Sequence, residues 1–244
     1  ADLAVNSWIL KGLKAGFPKA QWKLLSEENA KQEINPMKVD KNQFIWIVDP
    51  LDGTKDFLYG NGEYAVHIAL VQGHKSILGA VLIPELEELW FGIIGIGSWC
   101  EKRNRKRFEP SFSNRRECKD LILVSSRNHR DQRMNELVEA LQLSKTKTLG
   151  SVGCKVASIL RGDCDFYISL SGKTWPKDWD MAAPEVILTA AGGRFTHLDG
   201  MPLMYNQTDR AQKGCLLASH GYSHARICNK TFNAISTIDP SFIC

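Results

Sequence analysis

The residues best suited to chemistry in this chain lie in residues 44–57, FIWIVDPLDGTKDF, where a largely apolar run leads straight into Asp49 and Asp52. A strand that ends this way anchors two carboxylates close together on a rigid element. Carboxylates so placed repel and raise each other's pKa unless a cation lies between them. Hard divalent ions such as magnesium take oxygen ligands of this kind and keep several waters, which leaves room for phosphate oxygens. Pro50 stiffens the turn, the Leu51 carbonyl is a further oxygen donor, and Gly53 lets the backbone come close to a ligand. The amides of Gly53 and Thr54 are then placed to receive a phosphate.

Two other readings of the same letters fail on spacing. An EF-hand loop needs acidic or amide side chains at its first, third and fifth positions, where this chain has Leu51 at the third and Gly53 at the fifth. A haloacid-dehalogenase site has one residue between its aspartates, and here Pro50 and Leu51 both intervene.

These residues must be positioned by regular elements, and hydrophobic periodicity indicates which. Val5, Ile9, Leu13 and Phe17 recur every four residues until Gly16 and Pro18 stop them, which predicts a helix of about four turns from Asp2. A polar connection carrying LLSEEN follows, then a strand over 44–48 that ends at the aspartates. Short β-rich runs at 64–71 and 76–83, and a third run after a charged turn at Glu85 to Glu88, predict an antiparallel meander. Beyond residue 120 strands alternate with helices: LILVSS, a helix over 131–141, a strand over 146–149, a helix in VGCKVASILRG, then DFYISL, a helix in DMAAPEVILTAAGG, RFTHL and CLLASH. Such alternation means α/β layering. The expected division is an α+β metal-binding domain over 1–120 and an α/β domain over 121–244.

Composition narrows the class. The chain has 244 residues, 43% of them hydrophobic, enough for a full core, and no apolar run approaches the roughly 18–20 residues of a membrane span. Seven cysteines are scattered without a CxxC pair, which points to reduced thiols in a cytoplasmic setting and sets aside the sequons at Asn206 and Asn229. The net charge is +4, and residues 101–120 hold eight basic and four acidic side chains, read as a solvated hairpin or connection at the domain boundary. No aromatic stripe, RNP-like motif or zinc finger accompanies that run, so neither a nucleic-acid polymer nor a membrane is expected as partner.

Two further acidic stretches matter only in combination with the aspartates. Glu27 and Glu28 in LLSEEN read alone as solvated, and Asp180 in KDWDMAAPE reads alone as a helix cap. Taken in order, SEE, WIVDPLDGTKDF and WDMAA…AGG resemble the lithium-sensitive, magnesium-dependent phosphatases that include inositol monophosphatase. DGTKDF followed by NGEYAVHIAL, together with VSSRNH, GSVGCK and DGMPLMY, is most similar to the 3'(2'),5'-bisphosphate nucleotidase branch. The resemblance runs from Ala1 to about residue 220 and implies a layered α-β-α-β-α sandwich of the sugar-phosphatase type.

It also implies roles. Glu27, Asp49, Asp52, Asp180 and the Leu51 carbonyl would bind magnesium, while Thr54 and Asp2, with Glu28 beside the metal ligands, would serve the attacking water. Gly53, Thr54, Ser126, Arg127 and His129 would meet the substrate, and Lys155, Lys173 or Lys177 its second phosphate. The implied reaction removes the 3'-phosphate of adenosine 3',5'-bisphosphate, a step of sulfur metabolism, by metal-activated water rather than through a covalent phosphoenzyme. The alternatives are an inositol monophosphatase, a fructose-1,6-bisphosphatase, or a silent metal-binding homologue. The oligomeric state is left between monomer and homodimer. Two departures from the family's pattern stand out: relatives carry an N-terminal helical segment before the position of Asp2, so a longer natural chain is expected, and Pro184 replaces a common glycine. Proline is accommodated in a helix's first turn, which sets Asp180 and Pro184 together at the helix start.

Overall fold

The computed structural model describes residues 1–31, 42–128, 131–170 and 174–240. Helix α1 (Asp2–Gly16) buries Asn6 and Ile9, packs against the first sheet, and ends at Phe17, whose ring lies 4.7 Å from Trp22 and 6.0 Å from Trp46. The LLSEEN segment is more ordered than a connection. It forms strand β1 (Lys23–Ser26) and the single turn α2 (Glu27–Ala30), with the Ser26 hydroxyl accepting the Asn29 amide at 3.1 Å as N-cap.

Strand β2 (Phe44–Asp52) runs through the aspartates and is followed by α3 (Thr54–Tyr59), β3 (Ala65–Gln72), β4 (Lys75–Ile83), β5 (Glu88–Ile93), β6 (Gly97–Lys102) and β7 (Arg107–Phe108). The seven strands lie in the order β1-β2-β3-β4-β5-β6-β7. The meander is antiparallel throughout, and β1 adds itself to the edge parallel to β2. The basic run forms the β6–β7 hairpin and the connection beyond it. Glu88, expected in a turn, opens β5 and is buried, because Arg161 reaches it at 2.7 Å and Lys102 at 3.0 Å.

The second half alternates as β8 (Ile122–Ser126), α4 (Gln132–Ala140), β9 (Lys145–Leu149), α5 (Val152–Leu160), β10 (Phe166–Leu170), α6 (Asp178–Ala190), β11 (Arg194–His197) and β12 (Cys215–Ser219), closing with α7 (His224–Ile238). The sheet order is β11-β12-β10-β8-β9, with β8 parallel to both β9 and β10 and β12 antiparallel to both its neighbours. Helices α5 and α6 lie between the two sheets, α1 covers the outer face of the first, and α4 with α7 covers the second, giving five layers. All nine residues of α5 are buried, as expected of a helix with a sheet on either side.

Two glycines allow α6 to lie close on the first sheet. A Cβ at Gly79 would stand 2.2 Å from Val186 Cγ1, and one at Gly92 2.5 Å from the Ile187 Cα. Pro184 departs from expectation, since α6 starts at Asp178 and Pro184 lies in its interior. It leaves the Asp180 carbonyl without the amide four residues on, and the contact of α6 with the sheet tolerates the loss.

Candidate metal and phosphate site

The two aspartates of β2 are three residues apart, and in a regular strand that spacing puts side chains on opposite faces. Pairing with β3 resolves this. Asp49 stands opposite His67 and Asp52 opposite Ala65, so β2 carries one extra residue, a bulge that turns both carboxylates to the same side. Pro50, which has no amide to donate, falls inside the bulge. The parallel pairing of β1 matches Ser26 with Val48, which places Glu27 at the level of Asp49.

Asp180 comes from the first turn of α6. Carboxylate oxygens of Asp49, Asp52 and Asp180 lie within 4.8 Å of one another. Backbone amides hold each of the three: Leu51 N–H donates to Asp49 Oδ1 at 2.9 Å, Val152 N–H to Asp52 Oδ2 at 2.6 Å, and Lys177 N–H to Asp180 Oδ2 at 2.6 Å. Asp49 is 1% exposed. Burial first, then the Asp52, Asp180 and Glu27 charges, push its pKa well above the ordinary carboxylate value, and burial and Asp52 push Asp180 up to about 7. Among the described residues no Lys or Arg pairs with Asp49 or Asp180. The neighbouring ring is His67, 1% exposed, with Nε2 3.5 Å from Asp52 Oδ2 and Nδ1 3.4 Å from the Trp179 carbonyl. Burial lowers its pKa and keeps it neutral. An all-oxygen, anionic donor set with no cation of its own fits a magnesium ion.

The Thr54 hydroxyl donates to the Leu51 carbonyl at 3.2 Å, so the two residues assigned to metal and water meet directly. Glu27 and Glu28 both reach Lys31, at 3.1 and 2.8 Å. Asp2 sits in the first turn of α1, 3.9 Å from the chain's own amino terminus.

Asp52 and Asp180 open into a cavity of about 860 Å³ that also receives Gly53, Thr54, Ser126 and Lys155, with Asp49 behind them. Lys155 lies in its floor, 1% exposed, donating to the Gly150 carbonyl at 2.5 Å and standing 5.2 Å from the Tyr167 ring centroid. Arg127 is turned elsewhere, with its Nε and Nη2 both donating to the Glu63 carboxylate. Lys177 caps α6 and does not line the cavity. His129 and Lys173 lie outside the described residues.

Sequence reasoning missed several residues that the fold brings here. His67 gives a signal in retrospect, as the one imidazole inside an otherwise apolar strand opposite Asp49. Asn128, whose amide donates to the buried Asp56 at 2.7 Å, and Arg133 and Trp175 on the cavity wall have no local signature.

The profile of the inositol monophosphatase family matches residues 1–236. The chain belongs to that family. It is therefore a hydrolase of phosphate monoesters, built on the family's layered sandwich. A 3'(2'),5'-bisphosphate nucleotidase CysQ of Salmonella typhimurium is 33% identical over 207 residues, spanning 84% of this chain and 78% of that protein. A 3'-phosphoadenosine 5'-phosphate phosphatase of Mycobacterium bovis is 31% identical over 85% of this chain and 72% of its own. An inositol monophosphatase from Anabaena superposes with a TM-score of 0.76 at 25% identity, over 96% of this chain and 86% of that one. Among the described residues, no helix of this family member is long and apolar enough to cross a membrane, and six cysteines are free thiols.

Proposed function

We propose that this phosphatase removes the 3'-phosphate of adenosine 3',5'-bisphosphate, yielding AMP and inorganic phosphate, in the cytoplasm and with magnesium as cofactor. The observation that carries the chemistry is the convergence of Asp49, Asp52 and Asp180 within 4.8 Å at the edge of a cavity large enough for a nucleotide. The choice of nucleotide rests on the relatives, whose names are those of bisphosphate nucleotidases.

Asp49, Asp52, Asp180, Glu27 and the Leu51 carbonyl would hold the metal. When bound, magnesium lowers the pKa of a water and neutralises charge gathering on the phosphate oxygens. The protein's own groups do the rest. The Leu51, Val152 and Lys177 amides keep the carboxylates aimed at one point, so no reorganisation is required when the ion and phosphate arrive. Thr54, held on the Leu51 carbonyl, orients the attacking water, with Asp2 and Glu28 in the acidic surroundings. The Gly53 and Thr54 backbone would meet the phosphate with amides, and the start of α5, whose Val152 lines the cavity, adds the positive end of a helix. The Lys155 amine lies in the cavity floor within reach of the phosphate, with burial lowering its pKa and the Asp52, Asp56 and Asp180 charges opposing that shift. The water oxygen bonds to phosphorus as the bond to the ribose 3'-oxygen breaks.

The test is phosphate release with magnesium from adenosine 3',5'-bisphosphate, inositol 1-phosphate and fructose 1,6-bisphosphate in parallel. The expected result is the highest kcat/KM on the nucleotide, and a preference for either sugar phosphate would overturn the substrate while leaving the metal site standing.

A further inference from the structure

The cavity is much larger than a phosphate needs. At about 860 Å³ it falls in the range of roughly 300–1,000 Å³ that holds a whole small ligand. Among the described residues two aromatics line it, Tyr167 and Trp175, and they differ in kind. Tyr167 is 2% exposed and belongs to the floor, under Lys155. Trp175 is 38% exposed, a large indole left partly open on the cavity wall.

Trp175 is also held in place. It precedes Pro176, whose carbonyl accepts the Gln212 amide at 2.8 Å, and Asp178 N–H donates to the Arg210 carbonyl at 3.0 Å. The fully buried Asp178 carboxylate accepts Asn206 N–H and the Gln212 side-chain amide, each at 2.7 Å. Residues 206–212 thus clamp the segment that leads from Trp175 into α6 and Asp180. On the ring itself, Lys213 Nζ stands 5.8 Å from the centroid, itself paired with Asp209 at 2.5 Å.

From this arrangement we infer that Trp175 is the platform on which the nucleobase of the substrate lies, and that it selects nucleotides over phosphorylated polyols. A flat indole, part exposed and fixed to the element that carries a metal ligand, offers a π-face to any base and much less to inositol or fructose, whose puckered, hydroxylated rings carry no flat π-system. The inference rests on the nucleotide reading proposed above.

The experiment compares wild type with Trp175→Ala, Trp175→Leu and Trp175→Phe. It measures kcat and KM for adenosine 3',5'-bisphosphate, and the inhibition constant of inorganic phosphate, which reaches the carboxylate end and has no base. Trp175→Ala and Trp175→Leu are expected to raise KM about tenfold, near the lower end of what one base–aromatic stack contributes, with Trp175→Phe restoring most of it and the phosphate constant unchanged in all three. Leu keeps the apolar bulk should Ala disturb the fold, and both are checked by thermal unfolding. An unchanged KM in folded Leu or Ala variants, or a parallel rise in the phosphate constant, overturns the platform. Wild-type preference for a polyol phosphate overturns instead the reading on which it rests.

Discussion

Replacing Asp49 with Asn should separate stability from function. Asp49 is 1% exposed and shares a space of 4.8 Å with Asp52 and Asp180. At that separation and an effective dielectric of about 20, one pair of like charges repels by about 3 kcal/mol. At pH 8 without metal, the folded protein must either hold those charges together or keep a proton that the unfolded chain releases. Both disfavour folding, and both raise the folded-state pKa values of Asp49 and Asp180, the latter to about 7. Because the native state then binds more protons than the unfolded one, stability of the metal-free protein falls as pH rises from about 4 through 7. Asp49→Asn removes one ionisable member and keeps its shape. In EDTA at pH 8 it should be about 3 kcal/mol more stable than wild type, with the gain shrinking to about 1.5 kcal/mol at pH 5, little more than one pH unit above an ordinary Asp pKa. With magnesium that gap should close. Wild type gains about 2.7 kcal/mol at a concentration one hundred times Kd, while the variant gains little and loses turnover. Guanidinium unfolding followed by tryptophan fluorescence, with EDTA and with magnesium, reads both effects. A variant less stable than wild type in EDTA at pH 8 would refute the reasoning, since the Leu51 amide would then be stabilising the Asp49 charge by more than its neighbours repel it.

Two further substitutions probe how the site is held. Gly92→Ala places a methyl 2.5 Å from the Ile187 Cα and 2.8 Å from the Val186 carbonyl, backbone that cannot move aside, so α6 must shift; a loss of about 1–3 kcal/mol in denaturant unfolding and a matching fall in magnesium-dependent turnover are expected, because α6 carries Asp180. Glu88→Gln breaks the buried cluster with Arg161 and Lys102 and should cost about 3 kcal/mol at pH 7. Burial pushes the Glu88 pKa up, but the Trp90, Arg161 and Lys102 contacts outweigh it and leave it lowered, so this contribution is fully present above the ordinary Glu range and is lost as pH falls through the folded pKa. Wild type and variant should therefore converge in stability on acidification, and a gap that persists at acid pH would show that packing rather than charge is responsible.

Much of the machinery was legible in the chain itself. An apolar run ending in two aspartates states that carboxylates sit at a strand end, and the periodicities of 3.6 and 2 place α1, the meander and the alternating second half, because those patterns follow from which side of an element is buried. What the sequence does not state is which edges meet. β1 joins β2 in parallel only because closure of the first sheet leaves that edge open, and this pairing brings Glu27 beside Asp49. The bulge that turns Asp52 to the side of Asp49 depends on the register with β3, set by pairing across the whole strand. Asp180 lies more than a hundred residues away and arrives because Gly79 and Gly92 let α6 settle on the sheet. The cavity wall, with Trp175 and Asn128 in and Arg127 and Lys177 out, was decided by side-chain partners such as Glu63 and Gln212 that no local pattern announces. Local propensity is a property of neighbours in sequence, whereas a binding site is assembled from groups that only the packing of distant elements makes neighbours in space.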